Sequence, residues 1–218
     1  MQAIRLYTKT IIIIMKTILS LIRHGHVYNP DNLFYGHLPR FRLSEKGKQQ
    51  ARCAAEILTG RNLSAVFSSP LLRARQTAKE IITHYPHLRL RITELISEIS
   101  TPFDGRPSNE VDARNGDVYT GSAPRYEQPL DVLKRVQKFI ARTRKQYSGE
   151  HTVAVTHGDV IAIAVMAVHN QQLIAANKAK LKPLGISDGY PALASITSFT
   201  FHTNSPNELP EVYYLRPY

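Results

Sequence analysis

The sequence holds a single cysteine, Cys53, in 218 residues. That excludes an intramolecular disulfide and a thiolate cluster for zinc, and it fits a reducing, cytoplasmic compartment. Acidic residues are scarce: 17 Asp and Glu stand against 28 Lys and Arg, for a formal charge of +11 and a pI near 9.8. Such a balance suits either nucleic acid or a positive cleft that draws in small anions. Long hydrophobic runs are also missing. Ile11 to Met15 is a run of apolar residues that ends at Lys16. It falls short of the roughly 20 residues of a membrane span, and no small-residue cleavage site of a signal peptide follows it. No membrane partner is therefore expected. Repeats and low-complexity tracts are absent. The composition, 43% hydrophobic and 21% charged, is that of an ordinary globular chain of one domain.

The pattern that is present alternates strands with helices. Residues 17–22 form a short apolar run that reads as a buried strand, and residues 64–68 and 152–156 read the same way. Residues 88–92 alternate apolar with basic, as an edge strand does, and 193–201 and 211–215 read as closing strands. Ser44 is a plausible N-cap for a helix running to about Leu58, and Ser69-Pro70 is expected to open another, with proline at the first helical position. Further helices are expected over about 129–147 and from 158 to about 168. The stretch 100–125, with Pro102, Gly105, Pro107, Gly116, Gly121 and Pro124, reads as a long irregular segment of the kind that is usually functional or mobile. The expected architecture is a three-layer α/β/α sandwich around a mainly parallel sheet. Residues 1–14 read as a dispensable extension before a single domain over 15–218, because Met15-Lys16-Thr17 looks like a natural start directly before a strand. The basic stretch Lys134, Arg135, Lys138, Arg142, Arg144 and Lys145 lies on the 129–147 helix opposite an apolar face. It reads as a solvated surface, so nucleic acid is not the expected partner.

Two histidines draw attention. Arg23-His24-Gly25 and Thr156-His157-Gly158 share one grammar, a buried strand followed by His-Gly. In parallel sheets ligands bind beyond the carboxyl ends of the strands, so both residues are expected at one edge. Arg73 falls in the first turn of a helix that follows a strand, where a guanidinium can pair with phosphate beside the positive helix end. Glu98 lies shortly before the irregular segment and could donate a proton. Each residue has a plain structural alternative when taken alone.

Together these segments resemble the histidine phosphatase superfamily, in the branch that includes cofactor-dependent phosphoglycerate mutase. The resemblance runs from Ser20 to about Val168. It rests on Arg23-His24-Gly25 with Asn29, Leu43 to Ala51, Ser68 to Ala78, Leu95 to Glu98 and Val155 to Gly158. It implies that His24 attacks phosphorus and becomes phosphohistidine. It also implies that Arg23, Arg73 and His157 cradle the phosphoryl oxygens with Asn29 adding a hydrogen bond, and that Glu98 protonates the leaving alkoxide and then activates water. No metal or other cofactor is implied. The expected partner is a small phosphorylated substrate. Further candidates are His26, where many relatives carry Glu or Gln, Asp104, whose Asp-Gly pair resembles one in phosphatase members, and Asp159, which resembles the His-Asp pair of acid phosphatases and ranks after Glu98 as the acid. The mutases carry Arg-His-Tyr after their glutamate, whereas Glu98 is followed by Ile-Ser-Thr. This favours a phosphatase over the alternatives, a phosphomutase or a catalytically weak basic binding protein. A metallohydrolase built on His24, His26, His157 and Asp159 is a further rival, weakened by Arg23 beside any cation.

Overall fold

The computed structural model describes residues 16–218. The expectation for residues 1–14 lies outside the described residues. A sheet of six strands forms the centre, in the order β3-β2-β4-β1-β5-β6. The strands are β1 (Thr17–Arg23), β2 (Leu63–Ser68), β3 (Leu90–Ile92), β4 (His151–Thr156), β5 (Ile196–Phe201) and β6 (Glu211–Leu215). The first four run parallel; β5 is antiparallel to β1, and β6 to β5. The sheet is thus mixed, with a parallel core and an antiparallel edge.

Alternation along the central strands builds two cores. Leu19, Leu21, Ala154 and Phe199 face α4 (Pro129–Gln146) and α5 (Gly158–Val168). Ile22, Val66, Val153, Val155 and Ile196 face α1 (Glu45–Leu58) and α2 (Leu72–Thr83). Helix α5 is buried nearly all round from Gly158 to Met166, as its continuous apolar sequence requires. Helix α4 buries Val132, Val136, Phe139 and Thr143. Lys134, Lys138, Arg142 and Lys145 are exposed on its other face. Arg135 pairs with Glu127 at 2.7 Å and Arg144 with Glu208 at 2.9 Å. No helix among the described residues is long and apolar enough to cross a membrane.

Ser44 caps α1, its hydroxyl accepting from the Gly47 amide at 3.1 Å. Three boundaries differ from expectation. Helix α2 begins at Leu72, so Pro70 precedes its N-cap Leu71 rather than occupying the first turn. Strand β3 is confined to Leu90–Ile92 at the sheet edge. Strand β5 starts at Ile196, because Ala194 takes a left-handed φ of 53° that no strand accommodates. The 100–125 segment is not wholly irregular. It contains α3 (Ser108–Asp112) and buries Phe103, Val111, Val118 and Tyr119 in the α4/α5 core. A further helix, α6 (Ala175–Lys178), and single 3₁₀ turns at Glu94–Ile96 and Lys182–Leu184 complete the chain.

Candidate active site

Sheet register brings the candidate residues together. Arg23 pairs with Thr156 across β1 and β4, and Ser68 with Val155 across β2 and β4. The three strands therefore end at one level. The next amides continue the ladders: His24 N–H donates to the Thr156 carbonyl at 3.0 Å and Ser69 N–H to the Val155 carbonyl at 2.9 Å. His24, Ser69 and His157 consequently emerge side by side at the carboxyl edge. The His24 and His157 rings lie 5.2 Å apart between centroids, edge to face. Beyond His24 the chain must pass against the start of α1. A Cβ on Gly25 would strike the Gly47 carbonyl, and one on Gly47 would strike the His26 carbonyl. Both positions are thus restricted to glycine by close backbone approach.

His24 is 1% exposed. Its Nδ1 lies 2.8 Å from the Gly25 carbonyl. A carbonyl only accepts, so Nδ1 carries the proton and Nε2 presents a lone pair. Arg73 Nε donates to that Nε2 at 3.2 Å. Burial, then Arg73 and Arg23, hold the His24 pKa well below the usual histidine range, so the ring is neutral. Arg73 is wholly buried in the first turn of α2. Its Nη1 donates to the Leu38 carbonyl at 3.2 Å and its Nη2 to the Gly36 carbonyl at 2.5 Å, and Tyr35 stacks below it with the ring centroid 4.8 Å away. Arg23 donates Nη1 to the Pro191 carbonyl at 2.7 Å and lies over the Tyr190 ring.

His157 donates to or accepts from Ser69 Oγ through Nε2 at 2.8 Å, and its Nδ1 faces Glu98 Oε2 at 3.5 Å. Burial, followed by Arg73 and His24, lowers its pKa well below the usual value. Glu98 keeps 14% of its side chain exposed and accepts from the Ile99 amide at 3.0 Å. Burial, with help from the Asp159 charge, pushes its pKa from the usual 4.5 up to about 7, against the pull of Arg73, the Ile99 amide and Arg23.

The other candidates stand elsewhere or serve differently. Asn29 spends its amide on one loop: Nδ2 donates to the Leu33 carbonyl at 2.9 Å and Oδ1 accepts from the Leu33 amide at 3.1 Å. It shapes the loop and does not line the cavity. His26 is exposed and bonds Ser44 Oγ through Nδ1 at 2.8 Å, at the start of α1. Asp104 accepts from Thr101 Oγ1 and from the His37 amide, both at 3.2 Å, beside the Gly36 turn. Asp159 does line the cavity, in the first turn of α5. It accepts from Tyr119 Oη at 2.8 Å, Tyr190 Oη at 2.5 Å and Lys178 Nζ at 2.5 Å. Burial would raise its pKa, but Lys178 and these three bonds outweigh it and hold the carboxyl below its usual value. Gly158 belongs to this arrangement, since a Cβ there would collide with Tyr190.

Ser69, Tyr35, Tyr119, Lys178 and Tyr190 were not singled out from sequence. Ser69 alone carries a signal, its place just after a buried strand. Tyr35, Tyr119 and Tyr190 arrive from separate loops, and Lys178 from the end of α6.

The donor atoms of His24, Glu98 and His157 lie within 4.8 Å of one another. One ion could be reached by all three, but Arg73 already donates to His24 Nε2 and Arg23 stands alongside. That surrounding favours an anion over a cation. Two buried side-chain nitrogens there, Arg23 Nε and His157 Nδ1, have no hydrogen-bond partner among the described residues. The cavity holds about 480 Å³ and runs outward from Arg23, His24 and Glu98 between the loop at 33–36 and α3.

A cavity of this kind at the carboxyl edge of a parallel sheet, with a neutral histidine between two guanidiniums, defines an anion-handling α/β enzyme site. The chain belongs to the histidine phosphatase superfamily (branch 1), whose family model matches residues 19–190. It is 31% identical over 149 residues to an uncharacterised protein of Mycobacterium tuberculosis, covering 65% of this chain and 73% of that one. It is 28% identical over 160 residues to the adenosylcobalamin/alpha-ribazole phosphatase of Escherichia coli, covering 67% and 76%. Among solved structures it resembles the mycobacterial glucosyl-3-phosphoglycerate phosphatase, with a TM-score of 0.72, 25% identity, and coverage of 91% and 98%. Its characterised relatives include phosphatases and a phosphoglycerate mutase.

Proposed function

We propose that this protein hydrolyses phosphomonoesters through a phosphohistidine on His24. The observation that carries the reading is the state of His24. Its Nδ1 proton is held by the Gly25 carbonyl, and its unprotonated Nε2 lies beside the Arg73 guanidinium. A nucleophilic imidazole needs that tautomer, and phosphoryl transfer needs cationic donors around the non-bridging oxygens. Arg23 Nε and His157 Nδ1 supply two more polar atoms left without partners. Burying such atoms unpaired costs about 1–3 kcal/mol each, and a bound phosphoryl group relieves it.

In the first step a bond forms from Nε2 to phosphorus while the bond from phosphorus to the ester oxygen breaks, and Glu98 gives its proton to the departing oxygen. In the second, water attacks phosphorus, the Glu98 carboxylate takes the water's proton, the N–P bond breaks, and orthophosphate leaves with His24 restored. A carboxyl at about 7 suits both halves near neutral pH. Asp159 is the weaker choice as acid, because three donors keep it ionised. Rapid quenching followed by intact-mass measurement tests the scheme. A phosphoryl adduct lost in His24→Ala supports it, whereas an adduct on another residue, or turnover that survives in His24→Ala, overturns it.

A further inference from the structure

We propose that the substrates are phosphomonoesters whose alcohol is apolar and bulky and carries no second anionic group. This rests on the phosphatase reading of the same cavity and adds the class of alcohol. Past the His24 end the lining is mainly apolar, with Leu33, Phe34, Ile99, Val111 and Val118, and Ser108 and Asn115 add uncharged polar groups. A volume of about 480 Å³ lies within the roughly 300–1,000 Å³ of pockets that enclose whole small-molecule ligands, so the phosphoryl group alone does not fill it.

Charge sharpens the assignment. The cations lining the cavity are Arg23 and Lys178. Arg23 sits at the His24 end, where the phosphoryl group takes it. Lys178 is bound to Asp159 at 2.5 Å and is neutralised there. Apart from Glu98 at the His24 end, the remaining lining charge is the exposed carboxylate of Asp112 on α3, which has no ion-pair partner among the described residues. A carboxylate or second phosphate on the substrate would therefore meet a mainly apolar lining with no free cation among the described residues and then a like charge, with its desolvation poorly offset. An apolar body loses water on entry and gains contact with Phe34 and the two valines.

Three primary alkyl phosphates with comparably poor leaving groups separate the possibilities: 3-phenylpropyl phosphate, n-propyl phosphate and the carboxylate-bearing 4-phosphooxybutanoate. The phenylpropyl ester should exceed the propyl ester in kcat/KM by about tenfold or more, with the carboxylate ester the poorest. Phe34→Ala should pull the phenylpropyl-to-propyl ratio down. Asp112→Lys, at an exposed position, should raise the carboxylate ester relative to the propyl ester. A flat profile, or a preference for the carboxylate ester, in an enzyme that hydrolyses para-nitrophenyl phosphate overturns the substrate class and leaves the phosphatase reading standing. Absence of hydrolysis of any of the four esters overturns both.

Discussion

Glu98→Gln is the perturbation that discriminates most sharply, because it bears on catalysis and stability in opposite directions. Gln keeps the shape of a protonated Glu but cannot give up a proton. An alkyl alcohol leaves poorly without that proton, whereas para-nitrophenolate leaves readily. The substitution should slow an alkyl phosphate by about 10²- to 10⁴-fold and the aryl ester far less, where phosphorylation of His24 limits the rate. Wild-type activity on the alkyl ester should fall above about pH 7 as Glu98 loses its proton, and the variant should lack that limb. Stability moves the other way. A carboxyl raised from 4.5 to about 7 in the fold makes the native state bind more protons than the unfolded chain over that interval, so stability declines as pH rises through it. At about 1.36 kcal/mol per pH unit the cost saturates near 3 kcal/mol above pH 7. Gln escapes it. The variant should match wild type below about pH 4.5 and melt higher at pH 8, by roughly 6–12 °C at about 2–4 °C per kcal/mol for a chain of this size. Differential scanning fluorimetry at the two pH values and paired kinetics on the two esters read this out. Equal slowing of both esters, a persistent alkaline limb and unchanged melting at pH 8 would refute the reasoning.

Arg73→Lys should raise the orthophosphate inhibition constant and lower turnover on the order of 10²- to 10³-fold, because one ammonium cannot reproduce the fork that serves Gly36, Leu38 and His24 together. An inhibition constant equal to wild type would place Arg73 outside phosphate binding. Asp159→Asn removes a negative charge that raises Glu98 and frees Lys178, so the alkaline limb on alkyl esters should move to lower pH. Arg73, Arg23 and His157 also bear on Glu98 and are untouched by this change, so a limb that stays in place would show that Asp159 does not set it. His24→Ala should leave no trapped phosphoryl adduct and no turnover, as measured by intact mass and phosphate release.

The parallel core was legible because β1 and β4 each carry a short, β-branched apolar stretch, residues 18–22 broken only by Ser20 and residues 153–155, of the length and composition of a buried strand. The shared position of His24 and His157 was legible for the same reason: two strands of one sheet end in His-Gly, and parallel strands end on one edge. What escaped were elements too short for periodicity to register. Helix α3 has five residues and α6 four, less than two turns each. Asn29 shows a different limit. Its place in a polar loop fits a phosphate contact and a loop brace equally well, and only the two bonds to Leu33 tell which use its amide has. The partners of Asp159 were out of reach altogether, since Tyr119 and Tyr190 come from two loops and Lys178 from the end of α6, and no local pattern links them.

Two of the cavity's carboxylates, Glu98 and Asp159, are set apart by their surroundings. Asp159 follows His157-Gly158 in sequence, at the start of α5, and looks like a proton donor by position alone. Its oxygens instead take three donors, one of them an ammonium, and the carboxyl stays charged. Glu98 receives a single amide bond from Ile99, and its burial, helped by the Asp159 charge, holds its proton to about pH 7. The difference lies in the number of donors each finds. Lys178 touches Asp159 and helps to keep it ionised. Gly158 is part of the same chain of cause, because any side chain there would displace Tyr190 and with it one of the three donors. In the proposed scheme Glu98 is held protonated by burial and by the Asp159 charge, so the loss of Asp159 should register in the pH profile before it registers in phosphate affinity.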